Sequence, residues 1–242
     1  MKLLIDIGNT RAKIRVVEEG KTLFDSATDR FDAADAVALT ERYPIEGAIL
    51  SSVRERDEAL CEALRNRVGR FKQLCGTMPL PIRIDCPTPE LIGADRIAVA
   101  VGALALFPNR NALVVDFGTA ITIDRVDEEG NFRPGNISLG ASSRLGALHS
   151  LTALLPEVKL SEASDELEGD STATEMANGV AWGIAFEIEG YIARFAEKYV
   201  DPVTIFTGGD AIFFEKRINN TIFAKSDLAF VGLERILDYD EE

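Results

Sequence analysis

Three glycine-containing turns carry the residues best suited to chemistry. Asp6-Ile7-Gly8-Asn9-Thr10 follows an apolar run, with Arg11, Ala12 and Lys13 next. Gly8 allows backbone N–H groups close to a phosphate, and Asn9 and Thr10 add short polar contacts. Asp6, an anion, does not bind phosphate itself but can hold a Mg²⁺ ion or its waters, which bridges the repulsion. Asp116-Phe117-Gly118-Thr119-Ala120 repeats the pattern. The third turn, Thr207-Gly208-Gly209-Asp210, ends another apolar run. Its paired glycines would let a flat ligand such as adenine or ribose approach the backbone, although taken alone it reads rather as an ordinary strand-to-helix turn. A single Asp-Gly turn is common hairpin chemistry; two in one chain predict facing loops and a cleft.

The elements behind these turns follow from periodicity. Lys2 to Ile7 is nearly continuous in apolar residues, as in a strand buried on both faces. A returning strand over Ala12 to Val17, a Glu19-Gly20 turn and a third strand around Thr22 to Phe24 come next. Helices are expected over Phe31–Tyr43, Asp57–Val68, 94–107 and Met176–Tyr199, with a short polar-ended strand at Gly47–Val53. Four prolines, Pro79, Pro81, Pro87 and Pro89, leave residues 76–92 as strand and loop. At a fixed offset of 110, Leu3, Asp6, Gly8, Arg15, Val16, Glu18, Glu19 and Gly20 meet identical residues at Leu113 through Gly130. Strand-and-turn likeness explains the apolar matches but not Asp, Gly, Arg and Glu-Glu-Gly together. The chain therefore reads as a duplication, with halves at 1–110 and 111–242.

Composition sets outer limits. The 242 residues carry 26 Lys+Arg against 40 Asp+Glu, a formal net charge of −14. No basic face is visible for nucleic acid, and an anionic membrane surface is disfavoured. The excess acid is uneven: Glu157 to Glu175 holds seven acidic residues and one lysine, and Asp238, Asp240, Glu241 and Glu242 close the chain. Cys61, Cys75 and Cys86 form neither a disulfide framework nor a zinc pattern. Asp6 interrupts the first apolar run too early for a secretory signal, and the longest apolar stretch, Ile97–Phe107, is about half a membrane span. A cytoplasmic protein is expected.

Together the motifs resemble the acetate kinase, sugar kinase, Hsp70 and actin superfamily, and within it the type III pantothenate kinase family. The resemblance runs from Leu3 to about Leu233. It rests on Asp6–Thr10 with Lys13; Gly93-Ala94-Asp95-Arg96; Asp116–Ala120 with Thr122 and Asp124; and Pro134-Gly135 before Leu139. Leu151–Pro156, Thr172 seven residues before Gly179, and Thr207–Asp210 complete it. The G-x-D-R motif discriminates the family; the D-x-G turns alone specify only the superfamily. The implied fold is α/β, a duplicated ribonuclease H-like (actin-like ATPase) arrangement of two domains, with mixed sheets flanked by helices and an interdomain cleft.

The resemblance also implies an activity and a set of roles. The family phosphorylates pantothenate with ATP, the first step towards coenzyme A. Asp95 would be the base, where residue type alone leaves it equally a cap for the helix after it. Gly93, Ala94, Asp95, Arg96 and Thr172 would bind pantothenate; Thr172 alone also reads as an N-cap with Glu175. Asp6, Ile7, Gly8, Asn9, Thr10, Arg11, Ala12, Lys13 and Thr119 would bind ATP. Asp116 would hold the potassium or ammonium ion the family needs, and Asp6 the Mg²⁺, directly or through water. A homodimer is implied. Cys86 stands where the family usually has a pocket tyrosine, and a thiol supplies neither an aromatic face nor a phenolic hydrogen bond. His149, the lone histidine, reads as structural. Competing expectations are another small-molecule kinase of the superfamily, a non-catalytic regulatory relative, which loss of Asp6, Asp95 or Asp116 would have signalled, and an actin-like filament or Hsp70-like chaperone, for which the chain is too short.

Overall fold

The computed structural model describes residues 1–220 and 222–239. It divides into two compact units. The first comprises Met1–Asn109, Glu129–Pro134 and the stretch from Asp227 onward; the second comprises Arg110–Glu128 and Gly135–Ser226. Residues 227–239, assigned above to the second half, thus belong to the first unit. Asp240, Glu241 and Glu242 lie outside the described residues.

The first unit begins with β1 (Lys2–Ile7), β2 (Ala12–Glu18), β3 (Lys21–Thr28), α1 (Ala33–Arg42), β4 (Gly47–Ser52) and α2 (Glu58–Arg67). It continues through β5 (Arg70–Gln73), the two-residue β6 (Arg83–Ile84) and α3 (Ala94–Leu106). Its sheet has the order β3-β2-β1-β4-β5. β1 runs antiparallel to β2 and parallel to β4, and its middle, Leu3–Ile5, is fully apolar because helices cover both of its faces. Leu3, Ile5 and Ile7 join the core that includes Leu39, Leu60 and Leu64 of α1 and α2. Lys2, Leu4 and Asp6 alternate to the other face. Aspartate caps start both outer helices: Asp32 accepts the Ala34 N–H at 2.9 Å, and Asp57 accepts the Leu60 N–H at 3.0 Å.

The second unit repeats the plan with β7 (Ala112–Phe117), β8 (Ala120–Val126), β9 (Asn131–Leu139), α4 (Ala141–Leu151), α5 (Thr172–Lys198), β10 (Val203–Gly208), α6 (Ala211–Glu215) and β11 (Ile222–Ala224). Five of its strands run β9-β8-β7-β10-β11, the first sheet's order again, with β6 beside the start of β9. β7 is antiparallel to β8 and parallel to β10, matching β1 with β2 and β4. The duplication is therefore topological as well as sequential, and the fold is α/β with two mixed sheets flanked by helices.

One detail corrects the gapless repeat. Leu4 pairs with Arg15, but Val114, at the equivalent place in β7, pairs with Asp124. The turn after β7 is one residue shorter, so β2 and β8 correspond at an offset of 109. A one-residue slip turns every side chain to the opposite face. Arg15 consequently points towards Asp227 and Phe230, whereas Arg125 meets Tyr199 at the end of α5. The register returns by the next turns, where Gly20 and Gly130 hold φ of 76° and 78°.

The last helix, α7 (Leu228–Asp238), packs along α3 in the first unit. The contact is glycine to glycine. A Cβ on Gly232 would fall 1.8 Å from the Ala98 carbonyl oxygen, and one on Gly102 would fall 2.3 Å from that of Leu228. Ion pairs fix the ends: Arg15 with Asp227 at 2.7 Å, and Lys2 with Glu234 at 3.1 Å and Asp238 at 2.6 Å. Lys72 of β5 donates to the Ile236 carbonyl at 2.8 Å, satisfying an orphan acceptor at the helix C-terminus.

Candidate active site

In the first unit Asp6 stands near the C-terminal end of β1, half-buried, on the face towards α3. Its register partners are Lys13 across β2 and Ser51 across β4. The fully buried Ser51 hydroxyl donates to Asp6 Oδ1 at 2.9 Å. Burial pushes the Asp6 carboxyl above its ordinary pKa; the Ser51 hydrogen bond and Lys13 oppose this, and the charge of Asp95 adds to it. The charges of Lys13 and Asp95 thus both act on Asp6. Ser51 was not anticipated; the only hint was the polar end of an otherwise apolar strand.

Gly8 opens the turn after β1. The Gly8 N–H donates to the Arg11 carbonyl at 2.9 Å and closes the hairpin, so it is not available to a phosphate. Asn9, Thr10 and Arg11 are exposed, whereas Ile7 and Ala12 are buried and serve the core.

Asp95 lies in the first turn of α3 rather than at its cap. Gly93 is the N-cap, and Asp95 Oδ1 folds back to accept the Arg96 N–H at 2.8 Å. That bond orients the carboxylate through one of its two oxygens. Cys86, in the proline-rich stretch before α3, sits against Thr88 at 3.8 Å.

The second unit builds the corresponding strand end around Asp116, paired in register with Thr122 and with the buried Thr207. Gly208 has φ 92°, and a Cβ there would lie 2.3 Å from Asp116 Oδ1. Glycine is thus required both by the left-handed backbone and by the approach of the carboxylate. Asp210, next in this turn, donates its N–H to the Phe117 carbonyl at 3.2 Å, and burial raises its carboxyl pKa. The Thr119 carbonyl accepts the Gly140 N–H at 3.0 Å and the Ser143 hydroxyl at 2.7 Å, tying the second turn to α4.

Thr172 opens α5 but does not cap it. Ser171 is the N-cap, reciprocally bonded with Thr174, so Thr172 is left exposed at the first helical position. The chain before it is held to the same helix: buried Asn178 accepts the Ser164 N–H at 2.8 Å, and Trp182 donates to the Glu166 carbonyl at 2.8 Å. His149 Nδ1 lies 2.7 Å from the Leu155 carbonyl, a loop contact in keeping with a structural role.

A family model for type III pantothenate kinase matches residues 2–194. The chain belongs to the type III pantothenate kinase family. Full-length relatives agree. The type III pantothenate kinase of Azobacteroides pseudotrichonymphae is 38% identical over 242 residues, covering 100% of this chain and 98% of that one. That of Cytophaga hutchinsonii is 39% identical over 241 residues, covering 99% and 100%. Among solved structures, a protein named for the Baf family of transcriptional activators from Campylobacter jejuni superposes with TM-score 0.62 at 22% identity over 97% and 96% of the chains. The ROK hexokinase from Thermus thermophilus follows with TM-score 0.51 at 14% identity over 96% of each. At such identities these two establish only the fold that this family member shares.

Proposed function

We propose that the protein transfers the γ-phosphoryl group of ATP to the terminal hydroxyl of pantothenate, giving 4′-phosphopantothenate, with Asp95 as the base. The observation that carries this reading is the action of the Lys13 and Asp95 charges on Asp6 in a chain that belongs to a pantothenate kinase family. Asp95 orients the hydroxyl and takes its proton late, as a loose phosphoryl-transfer transition state requires. Arg96 supplies a planar fork suited to the pantothenate carboxylate. Lys13 and the turn from Asp6 to Arg11 receive the triphosphate, and Thr119 contacts ATP from the second turn.

Kinases of this fold use ATP with a divalent metal, and the donors fit one. Among the described residues no three histidine, cysteine, aspartate or glutamate side chains gather as a metal cage. Asp6 with phosphate oxygens and water is the coordination Mg²⁺ prefers. When bound, Mg²⁺ neutralises charge on the phosphates. At Asp116 the carboxylate and the neighbouring Thr207 and Thr122 positions offer hard oxygens, as a potassium or ammonium ion needs. Turnover is therefore expected to fall at least about tenfold when Na⁺ or a bulky organic cation replaces K⁺, with NH₄⁺ restoring it. Full turnover in Na⁺ alone would remove the cation site from Asp116.

Thr172 is free of capping duty, so Thr172→Val should raise the pantothenate KM by about fivefold to tenfold, the worth of one hydrogen bond, without lowering the melting temperature. An unchanged KM assigns the hydroxyl no contact. A homodimer is supported by large apolar side chains exposed in the second unit, among them Ile137, Leu139, Leu151, Leu154 and Phe186. Three free cysteines suit the cytoplasm. Among the described residues no helix is long and apolar enough to cross a membrane. The deciding experiment is mass detection of 4′-phosphopantothenate from ATP and pantothenate with Mg²⁺ and K⁺, with glucose as the control acceptor. Absence of product in that mixture overturns the kinase reading.

A further inference from the structure

We propose that Arg54 is a positioning residue for the phosphate-binding turn, acting through its backbone and not through the ligand. The inference rests on the kinase reading above. Arg54 follows β4, and its guanidinium reaches back across the end of β1. Nε donates to the Gly8 carbonyl at 2.8 Å, Nη2 to the Asn9 carbonyl at 3.2 Å, and Nη1 to the Asp29 carbonyl at 3.3 Å. One planar group thus fixes two consecutive peptide units of the turn and anchors them to the segment after β3.

The consequence follows from peptide geometry. In a trans peptide the C=O and the following N–H point in opposite directions within one plane. Holding the Gly8 carbonyl against Arg54 turns the Asn9 N–H away from it, and holding the Asn9 carbonyl does the same for the Thr10 N–H. Two successive N–H groups are thereby aimed to one side of the turn, the arrangement that cradles a phosphate. Gly8 cannot contribute, because its own N–H is committed to the Arg11 carbonyl. The guanidinium also places a positive charge behind a loop that must receive polyanionic phosphate in a chain of net charge −14. Lysine is not equivalent, since a single ammonium lacks the rigid fork that spans three carbonyls.

The arginine itself is held in place: its N–H donates to Ser52 Oγ at 3.2 Å, while the Val53 N–H before it donates to the Ile7 carbonyl at 3.0 Å. The strand end therefore sets the side chain, and the side chain sets the turn. Removing it leaves the hairpin bonds of β1 and β2 intact but frees the peptides at Gly8 and Asn9 to rotate.

The test compares the wild type with Arg54→Ala, Arg54→Gln and Arg54→Lys, all full-length. Calorimetric titration with MgATP, two-substrate kinetics and thermal denaturation are read together. Arg54→Ala is expected to weaken MgATP binding and raise the ATP KM at least about tenfold, with the pantothenate KM within about twofold of wild type. Arg54→Lys should recover part of the loss, and Arg54→Gln, which can still donate to one carbonyl, should fall between Ala and Lys. If Arg54→Ala does not fold, the Gln and Lys variants carry the same comparison. The proposal is overturned if MgATP binding is unchanged in a folded variant, or if both KM values rise together with a collapse of the melting temperature. If the wild type itself binds no MgATP, the kinase reading is what fails, and the role of Arg54 falls with it.

Discussion

Asp95→Asn is expected to lower kcat by roughly 10³-fold, within the span of about 10²–10⁴ for a general base, while MgATP binds as tightly as before. Asparagine has the same shape, and its Oδ1 can still accept the Arg96 N–H that orients the side chain at 2.8 Å. The first turn of α3 therefore stays intact, and what is lost is the capacity to take a proton. Asp95 also acts on Asp6 by charge, raising the pKa that burial has already raised. Neutralising it favours ionised Asp6, so nucleotide affinity should hold or rise slightly. Steady-state kinetics paired with calorimetry separates the two effects. Turnover at the wild-type rate would move the base elsewhere, and equal losses of kcat and nucleotide affinity would make Asp95 a structural residue.

The second large effect concerns no reacting group. Gly232→Ala should lower the melting temperature by about 5–10 °C and reduce kcat with it. The added methyl would sit 1.8 Å from the Ala98 carbonyl and 2.9 Å from the Gly102 N, both of them backbone atoms that no rotamer change can move aside. α3 and α7 must separate or slide, which costs about 2–3 kcal/mol, the upper part of the overpacking range. At about 2–4 °C per kcal/mol for a protein of this size, the shift is easily measured. α3 carries Asp95, so the displacement reaches the site. Gly146→Ala is the control: it lies in α4, nothing lies within 4 Å of its added Cβ, and it should be neutral or stabilising by up to about 1 kcal/mol. Calorimetry in which both variants melt like wild type would remove the helix contact as the reason for the glycines.

Much of the fold was legible because duplication doubles the signal. The strand preceding each D-x-G turn carries the same spacing, and the sheets built from them repeat one strand order. The slip between Arg15 and Arg125 was not legible, since identical residues one position out of register still score as identities. Gly232 and Gly102 were equally silent: a glycine demanded by a neighbouring helix looks the same in sequence as one that is merely tolerated. At the site, the acidic residues stood out by type, whereas Ser51 and Arg54 did not. A serine at a strand end and an arginine in a charged loop are common, and only register and distance distinguish these two. Thr172 shows the same limit, because Ser171 beside it is as good a cap and sequence does not choose between them.

The return of α7 makes the first unit discontinuous along the chain. Apart from Glu129–Pro134, the residues between Arg110 and Ser226 belong to the second unit, and α7 then packs on α3 of the first. Completing the first unit therefore closes a loop that contains nearly all of the second, and the entropic cost of such a closure grows only slowly with loop length. A second unit that is already folded lowers that cost further, because its chain has no freedom left to lose. Undocking α7 would uncover the apolar face of α3, the helix that carries Asp95.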